Sequence, residues 1–242
     1  VVYVVIYRVE EMETWYKGNI MTGRFIIFEG GDGVGKSTLV RNLHEALQSA
    51  GQPTVMTREP GGTPGAEQIR VLIKEGDANR FCPETHLSLH YAARFDHLKN
   101  FILPSLQAGK TVLCDRFEVS TAQYQVLGQK ASVDLFKANH AYVVAQLREV
   151  ITGATYVHCD LDPMVAQGRM MGEKGQQLGE VAAGNRHAND AYDNLPPDFH
   201  QRVREGRETA IGLIDPFFTH HVVDMSPEPD DIVQIVRDLL GL

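Results

Sequence analysis

The sequence predicts an α/β protein whose core is a five-stranded parallel sheet with helices on both faces. Three observations lead there. Short runs that are apolar at nearly every position recur along the chain, as strands buried on both faces require. Segments with helical spacing of apolar residues separate those runs. The first run, "FIIF", leads directly into the glycine-dense stretch "EGGDGVGKST" and then into a helical pattern.

Taken in order, Phe25–Phe28 is the first expected strand. Lys36–Ala50 carries Leu39, Val40, Leu43, Ala46 and Leu47 at helical spacing and stops at Gly51. Thr54–Thr57 is the second strand, and "REPGGTPG" (58–65) is a loop by its glycine and proline density. Glu67–Lys74 is helical. Pro83 opens a longer helix, with a break expected at Pro104 and a stop at Gly109. Thr111–Cys114 is the third strand, ending on Asp115-Arg116. Helical patterns cover Ser120–Leu127 and Val133–Ile151. Thr155–Cys159 is the fourth strand, followed by a helix over Pro163–Met170. Residues 170–196, with glycines at 172, 175, 179 and 184 and no apolar periodicity, are expected to form a mobile lid. A helix over Asp198–Leu213, a fifth strand at His221–Val223 and a helix over Pro229–Leu240 complete the chain. No internal repeat or linker divides it, so one domain is expected over 21–242.

Composition narrows the function. The 242 residues are 43% hydrophobic and 22% charged, which suits a packed core. The net charge of −8 argues against a nucleic-acid partner, which needs a basic footprint. It leaves room for a small anionic substrate in a local positive pocket. Three cysteines, Cys82, Cys114 and Cys159, form no CxxC and are expected as reduced, buried thiols in a cytoplasmic protein. His220-His221 is expected in strand packing rather than at a metal. "VVYVVIY" at the start is too short to span a bilayer and lacks the features of a signal peptide. Residues 1–20 are therefore expected to be an upstream extension, and no membrane partner is expected.

Gly30-Gly31-Asp32-Gly33-Val34-Gly35-Lys36-Ser37 fits GxxxxGK[ST], and Thr38 follows it. In this motif successive backbone N–H groups turn inward around phosphate oxygens, which demands glycine. The helix starting near Lys36 adds its positive N-terminal end. The lysine reaches the β- and γ-phosphates, and the Ser37 hydroxyl suits Mg²⁺. A strand before and a helix after give the context the motif needs. ATP is thus the expected ligand. Asp115, at the tip of "TVLC", is the expected second Mg²⁺ contact, through water. No Asn-Lys-x-Asp for reading guanine is present. The chain length and the glycine-rich segment suit a small-molecule kinase.

Three separated stretches then carry a resemblance to the thymidylate kinase family: "FEGGDGVGKST" (28–38), "TREPGGTPGAEQIR" (57–70) and "YAARFDHLKNFILPSLQAGKTVLCDRFEVSTAQYQ" (91–125). Weaker likeness continues through "DLDPMVAQGR" (160–169) and "DFHQRVREG" (198–206). The resemblance implies a P-loop kinase fold, a homodimer, and transfer of the γ-phosphoryl of ATP to dTMP. It implies that Asp32 contacts the nucleotide sugar and that Arg58 and Arg116 hold the acceptor phosphate. It places Glu59 near the Mg²⁺ and phosphates, followed by a cis Glu59–Pro60 bond. Arg70, Arg94, Thr121 and Gln125 would face the thymine, and Tyr124 would crowd C2′. Two departures stand out. Gly33 replaces an arginine found in one branch of the family, so the catalytic arginines are expected from the lid. Arg169 fits the lid entry, but the family's next arginine is missing from Asp190-Ala191-Tyr192-Asp193, leaving Arg186 as the substitute. His90 stands where the family has a base-stacking phenylalanine, which leaves dUMP or a 5-modified dUMP open as acceptors. A weakly active nucleotide-binding homologue is the other open reading. For the dimer, Leu87, Leu98, Ile102 and Leu106 are expected to supply an apolar face.

Overall fold

A computed structural model of the protein describes residues 23–75, 80–171, 202–203 and 205–242. Five strands, β1 (Phe25–Glu29), β2 (Thr54–Arg58), β3 (Thr111–Asp115), β4 (Ala154–Asp160) and β5 (Phe218–Asp224), form one parallel sheet in the order β2-β3-β1-β4-β5. Between them run α1 (Lys36–Ser49), α2 (Pro64–Lys74), α3 (Pro83–His97), α4 (Leu103–Gln107), α5 (Glu118–Thr121), α6 (Val133–Arg148), α7 (Pro163–Met171) and α8 (Arg207–Ile211), and α9 (Pro229–Leu240) follows β5.

The continuous apolar runs have the expected cause: alternate side chains go to opposite faces, and both faces are covered. Phe25, Ile27, Val112, Cys114 and Tyr156 pack into one core with α3, α4, α6 and α8. Ile26, Phe28, Leu113, Val157 and Cys159 pack into the other, with α1 and α9. The chain leaves β1 toward β2 on one side and leaves β3 toward β4 on the other. Carboxyl ends of β1 and β3 therefore border a crevice at the switch in strand order, where α/β sheets hold ligands.

Several expectations change. Pro104 does not break its helix. A π-helical turn, Leu98–Ile102, absorbs the irregularity just ahead of it and α4 carries on. A second π-helical segment, Ala122–Gly128, continues α5 where a plain helix was expected. Leu87, Leu98, Ile102 and Leu106 offer no face to a second copy: all four are fully buried in the chain's own core. Their helical spacing is the same in either role, so periodicity could not separate the two. Cys114 and Cys159 are buried free thiols, but Cys82 is exposed at the start of α3. His220 pairs with His158 across β4 and β5 at 2.9 Å, as strand packing. Residues 1–20, Arg186 and the 172–196 part of the expected lid lie outside the described residues. Among the described residues no helix is long and apolar enough to cross a membrane.

Candidate active site

The glycine loop joins β1 to α1. Val34, 4% exposed, pins it to the core beneath. Gly30 adopts φ 150°, and a Cβ there would fall 2.5 Å from the Cys159 carbonyl oxygen, so only glycine lets the loop lie this close to β4. Lys36 folds back into the loop. Its Nζ donates to the carbonyl oxygens of Gly30 at 2.9 Å and Gly31 at 2.7 Å. Burial, and after it the neighbouring Arg116, lowers its pKa, while Asp115 and Asp32 oppose the shift. The ammonium is thus held at the loop's centre, where phosphate oxygens would compete for it.

Beside it, the Ser37 hydroxyl donates to Asp115 Oδ2 at 2.9 Å. Asp115 Oδ1 is buried with no hydrogen-bond partner, a costly state that a cation or its water shell would relieve. Mg²⁺ therefore fits this pair. No group of three or more His, Cys, Asp or Glu suited to a metal occurs among the described residues. A hard ion completed by phosphate oxygens and water needs none.

After Asp115 the chain turns sharply. Arg116 sits at φ 68°, a left-handed conformation uncommon outside glycine. Its N–H donates to the Phe28 carbonyl at 2.9 Å. Its guanidinium donates to Asp32 Oδ1 at 2.8 Å and to Ser120 Oγ at 3.1 Å, and lies 5.8 Å from the Tyr124 ring centroid. Arg116 holds the Asp32 carboxyl down to about 2. Under the turn lies Glu29, only 1% exposed. It accepts from the N–H groups of Phe117 (2.9 Å) and Ser120 (3.1 Å) and from the Ser120 hydroxyl (2.6 Å). Burial raises its pKa, which Arg116 and these donors oppose.

The other wall is the loop after β2. Glu59–Pro60 is cis, as expected. Arg58 lies in register with Asp115 on the neighbouring strand. It donates to both oxygens of Glu67 at 3.1 and 3.2 Å, and its Nε is buried without a partner. Arg70 donates to the Pro60 carbonyl at 2.6 Å. Arg94, 2% exposed, lies between Tyr91 and Phe117, its guanidinium carbon 4.9 and 4.8 Å from their ring centroids. Its Nε donates to Glu59 Oε2 at 2.7 Å and one terminal nitrogen to Thr121 Oγ1 at 2.9 Å. The remaining nitrogen, Nη1, is buried with no partner. A buried donor left over in this way is costly unless an acceptor meets it.

The sequence model of the thymidylate kinase family matches residues 28–180. The chain belongs to the thymidylate kinase family. The thymidylate kinase of Ruegeria pomeroyi is 40% identical over 185 residues, covering 76% of this chain and 80% of that protein. That of Caulobacter vibrioides is 41% identical over 184 residues, with the same shares. That of Bacillus pumilus is 32% identical over 224 residues, covering 91% of this chain and 98% of the relative.

Within this thymidylate kinase fold several of the expected residues fall into two hydrogen-bonded or charge-coupled groups that start from the ends of β1, β2 and β3. Lys36, Ser37, Asp115, Arg116 and Asp32 form one connected group. Glu59, Arg94 and Thr121 form a second. Gln125 is buried on the π-helical segment beside Tyr124. His90 is half-buried on α3, and burial, followed by Arg94, pushes its pKa well below the usual imidazole range. Glu59 touches Asp115 through the backbone, its N–H donating to the Asp115 carbonyl at 2.9 Å, while its two side-chain oxygens are taken by Arg94 and by His97 Nδ1 at 3.0 Å. Arg169 is exposed on α7.

Glu29, Glu67 and His97 were not singled out from the sequence. A carboxylate closing the buried run "FIIFE" is a usable signal for Glu29, since a buried charge needs a fixed set of donors. Glu67 and His97 gave none, because their partners are set by the loop geometry.

Proposed function

We propose that this protein transfers the γ-phosphoryl group of ATP to the 5′-phosphate of dTMP, forming dTDP and ADP. One observation carries the reading: the neighbouring strands β1 and β3 end in the glycine loop that holds Lys36 and in Asp115-Arg116, and β2 beside them ends in Arg58 and the Glu59 that holds buried Arg94, whose Nη1 has no partner. A donor nucleotide and an acceptor base would thus be bound at opposite ends of one crevice.

An oxygen of the acceptor phosphate attacks the γ-phosphorus. The bond to the β–γ bridging oxygen breaks, and its electrons leave with ADP. No protein group has to form a bond, so the contribution is positioning and charge. Lys36 exchanges the Gly30 and Gly31 carbonyls for β- and γ-phosphate oxygens. The N–H groups of residues 30–35 and the start of α1 bind the same phosphates. Ser37, and Asp115 through water, would hold Mg²⁺, which when bound offsets negative charge on the phosphates. Arg58 and Arg116 hold the acceptor phosphate, and guanidinium suits that role by its paired donors. Asp32 meets the sugar, Tyr124 crowds C2′, and Arg94 with Arg70, Thr121, Gln125 and His90 surrounds the base. Arg169 and Arg186 are assigned to the moving phosphoryl group. A homodimer, which the family reading brings, would use the outer side of the helical layer, where half-exposed Tyr142 stands edge-on to Phe95. The cytoplasmic setting belongs to the same reading.

The test is a coupled assay of ADP release with ATP, Mg²⁺ and a panel of nucleoside monophosphates. Turnover is expected with dTMP well above dUMP, dCMP and AMP. Absence of dTMP turnover, with ATP still bound, would overturn the assignment.

A further inference from the structure

Arg94 can serve an acceptor base only if its Nη1 is held in a fixed place. The flanking rings of Tyr91 and Phe117 fix the plane of the guanidinium but leave it free to slide within that plane. Sliding is stopped by Glu59 at Nε and Thr121 at the other terminal nitrogen. Glu59 must therefore be fixed itself. Its second oxygen, Oε1, lies 3.0 Å from His97 Nδ1. The other ring nitrogen, Nε2, lies 2.6 Å from Thr57 Oγ1.

The carboxylate can only accept, so Nδ1 carries a proton and donates to Glu59. The Thr57 hydroxyl can then donate into Nε2 and hold that tautomer. Access to solvent is nil: His97 is 0% exposed and stacks on Phe101, with ring centroids 5.8 Å apart. Gly62 leaves the space the ring needs, since a Cβ there would fall 2.5 Å from Nε2 and from Thr57 Oγ1.

We propose that His97 is a positioning residue for acceptor binding: through Glu59 it sets where Arg94 presents its free donor to the acceptor base. The role rests on Arg94 as the base contact in the reading above. His97 itself touches no substrate.

The experiment compares two amides. Asparagine places its N–H₂ near the position of Nδ1 and can keep the link to Glu59. Glutamine reaches toward Thr57 instead and drops it. Steady-state kinetics are measured on purified full-length His97→Asn, His97→Gln and Arg94→Gln, with thermal melts to establish folding. His97→Gln is expected to raise KM for dTMP about tenfold, equivalent to about 1.4 kcal/mol. Its kcat and its KM for ATP should stay within about twofold, the pattern of lost ground-state binding. His97→Asn should restore KM for dTMP to within about threefold of wild type. Equal effects of the two amides, or parallel changes in both substrates' KM values, would show that His97 only fills space and would overturn the proposal.

Arg94→Gln separates the two levels. If it raises KM for dTMP while the His97 variants do not differ, only the positioning role fails. If it leaves KM for dTMP unchanged, the base contact fails and the positioning role with it. Should His97→Gln not fold, His97→Phe tests the same link: it keeps a flat ring against Phe101 but offers Glu59 no donor, so KM for dTMP should again rise severalfold. An unchanged KM in that variant overturns the proposal.

Discussion

Ser37 and Asp115 are 78 residues apart in the chain and share a hydrogen bond of 2.9 Å. The bond ties the first turn of α1 to the tip of β3 and leaves Asp115 Oδ1 buried without a partner. Asp115→Asn keeps the shape and can still accept from Ser37, so the fold should survive. It removes the charge that would hold a metal-bound water. We expect the Mg²⁺ concentration at half-maximal activity to rise about 10–100-fold, as for other outer contacts to a metal. Titration of Mg²⁺ at fixed ATP reads this directly. An unchanged midpoint would remove Asp115 from the metal's surroundings.

Lys36→Met keeps the buried stem and deletes the ammonium that now donates to Gly30 and Gly31. Turnover should fall by at least about 10²–10³-fold, the usual cost of one preorganised donor at developing charge. A rate within about tenfold of wild type, a loss of only about 1.4 kcal/mol, would mean that the loop does not act on the transferred phosphate.

Gly62→Ala should destabilise the protein. Gly62 sits at φ 90°, and an added Cβ would lie 2.5 Å from both His97 Nε2 and Thr57 Oγ1. Backbone strain alone amounts to about 1–3 kcal/mol. Urea denaturation should show a lower midpoint at unchanged slope, and KM for dTMP should rise as well because His97 is displaced.

His158 sets an acid limb of stability. Burial, and after it His220, lowers its pKa to about 4. The unfolded chain takes up a proton near pH 6.5, whereas the folded chain does so only near 4. The unfolded state therefore binds more protons between those values, and stability falls as pH drops from 6.5 toward 4. The loss is at most roughly 3 kcal/mol for a site that is nearly inaccessible. His158→Phe, which keeps a flat ring beside Tyr156 and His220, should flatten that part of the Tm profile. An identical slope in wild type and variant would show that other groups carry it.

The sequence by itself determined the layers and the phosphate end of the site. Strands buried on both faces need unbroken apolar runs, and a loop wrapping phosphate needs glycines, a lysine and a hydroxyl at fixed spacing. Both are local demands, so Phe25–Phe28, Lys36 and Ser37 could be read directly, with Asp115 following from its place at a strand tip. Neighbours far apart in sequence were decided only by tertiary structure. Helical spacing put Leu87, Leu98, Ile102 and Leu106 on an apolar stripe, but what covers that stripe depends on the sheet behind it, and they became core. Glu59 was expected near the metal; its N–H does donate to the Asp115 carbonyl, but which donors its side chain meets was set by Arg94 and His97, reaching across from α3. Glu29 closes a strand and holds a turn 88 to 91 residues away. A carboxylate's role is fixed by which donors reach it once the chain has closed, and spacing along the chain does not encode that distance.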